Sequence, residues 1–320
     1  MPISRTRMIA GISAVAAAPL LRTAAFAATP ATLRLAAAPD DDITPILYGQ
    51  KSGIFKNAGL EVELSSLGSG SATAAAVAGG SIDIGKSSLT GLCAAHARGV
   101  PFQIVAPASI YLDSNPIAGF VVAKDAKIAS PRELAGKVVS ASSLKDLIAV
   151  ATQAWIDANG GDSKSVHFLE IPISAVPAAL AQGRIAGATL VTPALAEAID
   201  SGAAKLMGRS FSAIAKRFMV AGWFSTTSWL EKNGDVAKRF VEAFMQAAAY
   251  SDTHRAETVE LLAEFSKLKP STIRGMVRST VGKSVAASDI EPVVAAAVKY
   301  GVVAKSFPAA ELIAPIAPRS

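Results

Sequence analysis

Residues 53–85 carry the pattern that decides the fold, and they contain three motifs: GIFKNAGLEVEL (53–64), GSGSATAAAVAGG (68–80) and SIDIG (81–85). Apolar and charged residues alternate over Leu60–Leu64, which predicts a strand with one exposed face. Ser69–Val77 predicts a helix that begins at serines and ends at a glycine pair. Ile82–Ile84 predicts another short strand. Strand and helix therefore alternate, as in a parallel α/β sheet.

The alternation continues on both sides of this stretch. Upstream, Leu33–Ala37 predicts a strand and Ile43–Ser52 a helix that stops at Gly53. Further strands are predicted at Phe102–Ala106, Gly119–Ala123, Val138–Ser140, Val166–Ile171, Ala188–Val191, Lys205–Met207 and Phe218–Ser225, and further helices after Ser87 or Ser88, at Ser142–Asp157, Val236–Tyr250 and Glu257–Leu268. The pattern predicts two α/β lobes, with the last helices on the outside of the first lobe and crossings near residues 107–118 and 215–222.

Residues 1–27 have the composition of an export signal. Arg5 and Arg7 precede an apolar run from Met8 to Leu21, and Ala25-Phe26-Ala27 has the small-x-small form of a cleavage site. The run is too short for a membrane helix, and no Leu-x-x-Cys pattern for a lipid anchor stands near it. We therefore expect a cleaved signal peptide over residues 1–27 and a mature protein that is free in the periplasm, not lipid-anchored.

Charge and cysteine content exclude several classes of protein. Removal of the three arginines in residues 1–27 lowers the formal net charge from +6 to +3, and no Lys/Arg tract is present. The sequence therefore predicts no nucleic-acid partner. Cys93 is the only cysteine, which excludes an internal disulfide and a multi-cysteine metal site. The remaining chain of about 290 residues suits two lobes better than one core.

Motifs in matching order along residues 32–245 resemble one family of solute receptors. The matching segments are Gly53-Ile54-Phe55, Gly59-Leu60-Glu61-Val62, Gly80-Ser81-Ile82-Asp83-Ile84-Gly85, Leu134-Ala135-Gly136-Lys137-Val138-Val139, Ala179-Leu180 with Gly183 and Ile185, and Trp229–Asn233 with Val236–Phe240. In these segments the chain resembles the substrate-binding proteins of ABC importers of the nitrate/sulfonate/taurine and thiamine-precursor (NMT1-like) type. Ala186 stands where the family usually has an aspartate, which indicates divergence in the second lobe.

The resemblance implies an α/β fold of the periplasmic-binding-protein type (type II), a clamshell of two α/β lobes joined by a hinge of two crossings. Lobe one would comprise residues 28–108 and 219–320, and lobe two residues 109–218. The implied function is capture of a small polar organic molecule between the lobes, sulfonate-, nitrate- or taurine-like or pyrimidine-like, and its delivery to an ABC importer permease in the inner membrane. The receptor is expected to be monomeric and to need no cofactor.

Ligands of open α/β sheets bind beyond the carboxyl ends of the strands, and polar residues at those positions form the candidate site. They are Asp41, Asp42, Ser69, Ser71, Ser87, Ser88, Asn115, Ser142, Ser143, Thr192 and Trp223. The serines equally suit a helix-capping role without a ligand. Of Trp223 and Phe224, one is expected in the core and the other against the ligand, because neighbours in a strand face opposite sides. Helix N-termini and lysines favour an anion, whereas the aspartates favour an amine or an N–H donor, so the ligand's charge stays open.

An enzymatic function is the alternative from a different class. The same fold carries enzymes such as the yeast pyrimidine-precursor synthase, whose family is recognised by a cysteine cluster and an iron-binding histidine. This chain has one cysteine, and His96, His167 and His254 are widely dispersed. We therefore predict no catalytic residue and no metal site. A ligand-sensing domain for a membrane receptor is a further alternative, because its clamshell would look the same.

Overall fold

A computed structural model describes Met1 and residues 30–319 of the chain. The predicted signal peptide, residues 1–27, lies outside this described part apart from Met1. The described chain contains two five-stranded sheets, sheet A and sheet B, each covered by helices. We call sheet A with its helices lobe one and sheet B with its helices lobe two.

Sheet A has the strand order β2-β1-β3-β10-β4. Its strands are β1 (Ala31–Ala37), β2 (Leu60–Ser66), β3 (Ile84–Ser88), β4 (Phe102–Leu112) and β10 (Arg217–Thr226). β1 is parallel to β2 and β3, whereas β10 runs antiparallel to both β3 and β4. β10 therefore lies between β3 and β4 in sheet A, although the chain reaches it only after the strands of sheet B.

Sheet B has the order β7-β6-β8-β5-β9 and repeats this arrangement. Its strands are β5 (Ala118–Ala123), β6 (Val138–Ala141), β7 (His167–Glu170), β8 (Gly187–Val191) and β9 (Ala204–Gly208). β6 is parallel to β7 and β8, and β5 runs antiparallel to β8 and β9. The chain crosses to sheet B between Leu112 and Ala118 and returns between Gly208 and Arg217.

Twelve α-helices cover the two sheets in the described part of the chain. They are α1 (Thr44–Ser52), α2 (Ile54–Asn57), α3 (Gly70–Ala78), α4 (Leu89–Ala97), α5 (Leu147–Ala158), α6 (Val176–Ala181), α7 (Ala194–Asp200), α8 (Thr227–Lys232), α9 (Gly234–Thr253), α10 (Val259–Ser266), α11 (Pro270–Gly275) and α12 (Ala287–Lys299). None of the described helices is both long and apolar enough to cross a membrane. α9 packs on α1 and α2, on the outside of lobe one, as predicted.

Both sheets are mixed rather than parallel, and this corrects the sequence-based prediction. The difference comes from β5 and β10, which follow the two crossings and enter their sheets in the opposite direction. Pairing with β10 also lengthens two strands. β3 extends to Ser88, opposite Ala221, and β4 continues to Leu112, opposite Arg217, through residues expected to form a crossing.

α5 begins later than the sequence predicts. The sequence predicts a helix that begins at Ser142 or Ser143, but the first residue of α5 is Leu147 and its N-cap is Asp146. The Asp146 carboxylate accepts hydrogen bonds from the backbone N–H of Ala149 at 2.8 Å and of Ser143 at 3.1 Å. A carboxylate at this position satisfies free N–H groups and complements the helix dipole. The aspartate therefore sets the start, and the serines belong to the loop before it.

Candidate functional site

The first crossing joins the carboxyl edges of the parallel strands of both sheets. In sheet A, β3 and β4 both run antiparallel to β10, so they share a direction, and the chain leaves for lobe two at the carboxyl end of β4. In sheet B, Ala118 at the start of β5 pairs with Val191 at the end of β8. The chain therefore enters at the carboxyl edge of sheet B. The space between these two edges is the interlobe cleft, the position at which open α/β sheets bind ligands.

Four of the predicted serines meet where α3 and α4 begin. Ser69 is the N-cap of α3, and its Oγ accepts a hydrogen bond from the Ala72 N–H at 3.2 Å. The Ser69 and Ser71 Oγ atoms are 3.0 Å apart. Ser88 is the N-cap of α4, and its Oγ lies 3.4 Å from the Gly91 N–H. The hydroxyls therefore surround the N-termini of two helices, each nine residues long.

Gly70 and Gly91 allow these two helix starts to approach Ser87. A Cβ atom on Gly70 would lie 2.5 Å from the Ser87 Oγ, and one on Gly91 would lie 3.0 Å from the same atom. Neither glycine has a positive φ, so close approach accounts for them better than backbone conformation does. Ser87 is thus placed between α3 and α4. Free N–H groups and hydroxyls at two adjacent helix starts suit a polar or anionic group.

Asp41 lies beyond the carboxyl end of β1 and is bound by Arg278. The Arg278 Nε donates to the Asp41 Oδ1 at 2.6 Å, and the Ser279 N–H donates to the other carboxylate oxygen. The side chains are only 2% and 8% exposed. The Arg278 Nη2 also donates to the Thr44 Oγ1 at 3.1 Å. Asp41 therefore anchors the segment around Arg278 to lobe one.

Asp42 is bound by Lys86, which rises from β3 next to Ser87. The Lys86 Nζ donates to Asp42, and it lies 3.1 Å from the Asp40 Oδ2. Burial opposes the charge on the ammonium group, but the two carboxylates outweigh this effect and raise the pKa of Lys86. Burial raises the pKa of the Asp42 carboxyl, whereas the charge of Lys86 acts in the opposite direction and lowers it. This cluster presents one exposed carboxylate, that of Asp40, and no free cation.

The lobe-two candidates lie at the carboxyl ends of β6 and β8. The Ser142 hydroxyl donates to Asp146, and the Ser143 N–H donates to the same carboxylate at 3.1 Å. Thr192 precedes Pro193 and is only 3% exposed. Its Oγ1 atom has no hydrogen-bond partner among the described residues. A buried hydroxyl without a hydrogen-bond partner lowers the stability of the fold, and a hydrogen bond to a ligand or a water molecule removes this cost.

Asn115 and Trp223 make contacts within the protein. The Asn115 Nδ2 donates to the Arg278 carbonyl oxygen at 2.9 Å and ties the first crossing to the C-terminal part of the chain. Trp223 is fully buried, and its ring contacts those of Phe240 and Phe244 in α9. Phe224 is fully buried as well. Both aromatic residues thus belong to the core of lobe one, and neither ring is exposed to the cleft.

Three residues that organise the site were missed by the sequence analysis. Lys86 is absent from the predicted site because the sequence pattern places β3 too early, at Ile82–Ile84 rather than Ile84–Ser88. With β3 at its true bounds, a lysine within a central strand would have indicated a buried ion pair. Asp146 gave a usable signal, an aspartate just before an apolar periodic segment. Arg278 gave none, because its partner Asp41 is 237 residues away.

Comparison with protein families identifies a match over most of the chain. The family model described as NMT1/THI5 like matches residues 40–258. This range includes α3, α4, both crossings and all of sheet B. No curated protein matched the chain in sequence.

Solved structures share the arrangement of both lobes at low sequence identity. The aliphatic sulphonate binding protein SsuA of Escherichia coli aligns with a TM-score of 0.74 at 17% identity, over 91% of this chain and 94% of its own. The alkanesulfonate-binding protein SsuA of Xanthomonas axonopodis pv. citri, bound to MOPS, aligns with a TM-score of 0.75 at 16% identity, over 90% and 99%. The nitrate-binding protein NrtA of Synechocystis PCC 6803 aligns with a TM-score of 0.66 at 17% identity, over 75% and 68%.

Proposed function

The chain belongs to the NMT1/THI5-like family and has the periplasmic-binding-protein fold, and from this premise we propose that it is an extracytoplasmic solute receptor. It captures a small polar organic molecule between its lobes in the periplasm and delivers it, as a monomer, to an ABC importer permease. The observation that carries the proposal is the pair of helix starts with hydroxyls at Ser69, Ser71, Ser87 and Ser88, at the carboxyl edge of sheet A.

The arrangement of charges narrows the class of ligand. Lys86 and Arg278 are occupied by aspartates, so recognition rests on hydroxyls and on the backbone N–H groups of α3 and α4. Such donors favour an anionic or strongly polar head group. The sulphonate and nitrate binding stated for the solved neighbours supports the same class. A sulfonate, nitrate or carboxylate is the first choice, and a pyrimidine the second.

Lobe two would complete the site when the lobes are close together. Ser142, Ser143 and Thr192 follow strands at the carboxyl edge of sheet B, and the buried Thr192 hydroxyl has no hydrogen-bond partner among the described residues. A ligand that contacts both lobes favours the state in which they are closed, by its difference in affinity for the two states. The neighbours' names as binding proteins support a role without catalysis.

The first test is native mass spectrometry of protein purified from the periplasm, followed by thermal-shift screening. The panel comprises aliphatic sulfonates, taurine, nitrate, pyrimidines and aromatic carboxylates. A retained small molecule, or one compound that raises Tm in a concentration-dependent way, supports the receptor and identifies its ligand class. Appearance of a chemically altered compound after incubation would instead indicate an enzyme.

Single substitutions then locate the site. Ser69→Ala and Ser88→Ala each remove one hydroxyl and are expected to weaken binding of the selected compound about fivefold to tenfold. Ser130→Ala is the matched control, because Ser130 precedes a short turn in lobe two and its hydroxyl donates only to the Glu133 carboxylate, at 3.1 Å. If all three variants bind equally well, the ligand does not lie at the helix starts.

A further inference from the structure

Helix α12 lies beside the two crossings and is fixed at both ends. Near its N-terminus, Asp289 accepts two hydrogen bonds from Arg217, at 2.7 and 2.8 Å. Arg217 is the first residue of β10, where the chain returns from lobe two. Just beyond its C-terminus, the Tyr300 hydroxyl donates to the Asp157 Oδ2 at 3.2 Å. Asp157 belongs to α5, in lobe two.

The apolar face of α12 is buried over the same region. Ile290, Val293, Val294 and Ala297 are at most 3% exposed, and α12 contacts β10, α4 and α5. Leu147 and Ala151 of α5 belong to the same apolar cluster as these residues. This cluster therefore extends from lobe one into the first half of a lobe-two helix.

Asp157 is held in place from within lobe two. The Ser163 N–H donates to its Oδ1 at 2.8 Å, and the Ser163 hydroxyl donates to its Oδ2 at 3.1 Å. The carboxylate that receives the Tyr300 hydroxyl is thus rigidly attached to α5. A rotation of lobe two about the crossings moves this carboxylate relative to α12, because Tyr300 is attached to lobe one.

We propose that α12 is a brace between the lobes, and that the Tyr300–Asp157 hydrogen bond favours the present lobe arrangement over a more open one. Two chain crossings alone would leave the lobes free to rotate, whereas the brace adds a noncovalent connection beside the contacts of α4 with α5 and of α11 with α7. The proposal concerns the protein without ligand and does not depend on its transport role. Its failure is therefore distinguishable from failure of the receptor proposal.

The test measures the distance between the lobes by pulsed electron paramagnetic resonance. Spin labels on Lys51→Cys in lobe one and Lys127→Cys in lobe two report this distance, because both positions are exposed. Cys93 will remain unlabelled, since burial raises the pKa of its thiol to about 12. Tyr300→Phe removes only the hydroxyl, and the ratio of long to short distances is expected to rise on the order of fivefold.

Tyr250→Phe is the matched control. Its hydroxyl donates to the Glu257 Oε2 at 2.9 Å, but both residues belong to lobe one, so the distance distribution should not change. In an Asp157→Ala background, Tyr300→Phe should have no additional effect, because the bond is already lost. The proposal is overturned if Tyr300→Phe gives the wild-type distribution, or if its effect persists unchanged in the Asp157→Ala background.

Discussion

Lys86 and Arg278 show how the loop after β1 is fixed at the level of single residues. Both cations are almost fully buried, and each binds an aspartate that the sequence analysis assigned to the ligand. Sequence reasoning correctly placed Asp41 and Asp42 at the end of a strand, since β1 was found where predicted. It could not identify their partners, because contacts between distant residues leave no local pattern. The serines at the starts of α3 and α4 gave a stronger signal for the positions of these helices, because a helix start is a local feature of the sequence.

Substitution of Arg278 tests the anchoring of Asp41. Arg278→Met is expected to lower the free energy of unfolding by about 3 kcal/mol, because it leaves a buried carboxylate without its cation. Arg274→Met is the control: the pair of Arg274 with Glu260 is more than half exposed on both sides, and its loss should cost less than about 1 kcal/mol. The measurement is urea denaturation at neutral pH. Equal effects of the two substitutions would contradict a buried anchor.

Substitution of Lys86 is expected to change how the free energy of unfolding depends on pH. Lys86→Met leaves Asp42 buried without its cation, so burial and the neighbouring Asp40 charge raise the pKa of that carboxyl without opposition from Lys86. The folded variant then binds a proton more readily than the unfolded chain does, and its stability rises as the pH falls. In the wild type, the pKa of Lys86 is raised, so charged Lys86 stabilises the fold by a constant amount at any pH below the usual lysine pKa. This stabilisation is lost only when the pH rises above that range.

The measured quantity is the difference in unfolding free energy between wild type and Lys86→Met. We expect a gap of about 3 kcal/mol at pH 7, narrowing as the pH falls towards about 4, the range in which aspartate takes up a proton. Lys51→Met, at an exposed position, controls for the loss of a lysine. A gap that stays constant or widens on acidification would show that Asp42 is not the group left unpaired.

At the level of elements, the packing of α3 against β3 positions the helix starts. Gly85 in β3 allows this packing, since a Cβ there would lie 2.6 Å from the Thr73 Cγ2 and 2.8 Å from the Val77 Cγ2. Sequence reasoning found α3 to within a residue, because its serine cap and terminal glycines are local signals. It misplaced β3 and the end of β4, because their lengths are set by pairing with β10, more than 100 residues later.

Gly85→Ala tests this close packing. The added methyl must displace α3 or Phe224, which is expected to cost about 1–3 kcal/mol and to weaken binding of the compound found by screening. Gly234→Ala is the control, because a Cβ at that position would meet nothing within 4 Å. Thermal unfolding and titration of both variants provide the measurement. Wild-type behaviour of Gly85→Ala would show that α3 tolerates displacement.

The start of α5 gives a second test at this level. Asp146→Ala removes the N-cap and is expected to lower the free energy of unfolding by about 2 kcal/mol, with faster hydrogen exchange in the first turn of α5. Asp146→Asn keeps an acceptor oxygen and should recover most of the loss. If hydrogen exchange accelerates uniformly over lobe two, Asp146 stabilises the whole lobe and not only the start of α5.

At the level of the whole molecule, the family resemblance and the two-lobed fold predicted from the sequence are confirmed. Short motifs were sufficient to predict the family and the two lobes, because the turn glycines and strand patterns of this fold follow one another in a fixed order along the chain. Packing on the outside of lobe one is predicted from the sequence for Val236–Tyr250 and Glu257–Leu268, and no packing is predicted for α12. α9 packs on the outside of lobe one, but α12 also contacts lobe two, and helical periodicity indicates which face is buried without indicating what covers it.

A ligand that binds between the lobes is expected to draw them together. Small-angle X-ray scattering, with and without a saturating amount of the compound that stabilises the protein most, tests it directly. We expect a smaller radius of gyration on binding. At a compound concentration that does not saturate Ser69→Ala, we expect a smaller decrease for this variant than for the wild type. An unchanged radius of gyration, with binding confirmed by titration in the same sample, would contradict lobe closure and place the ligand elsewhere.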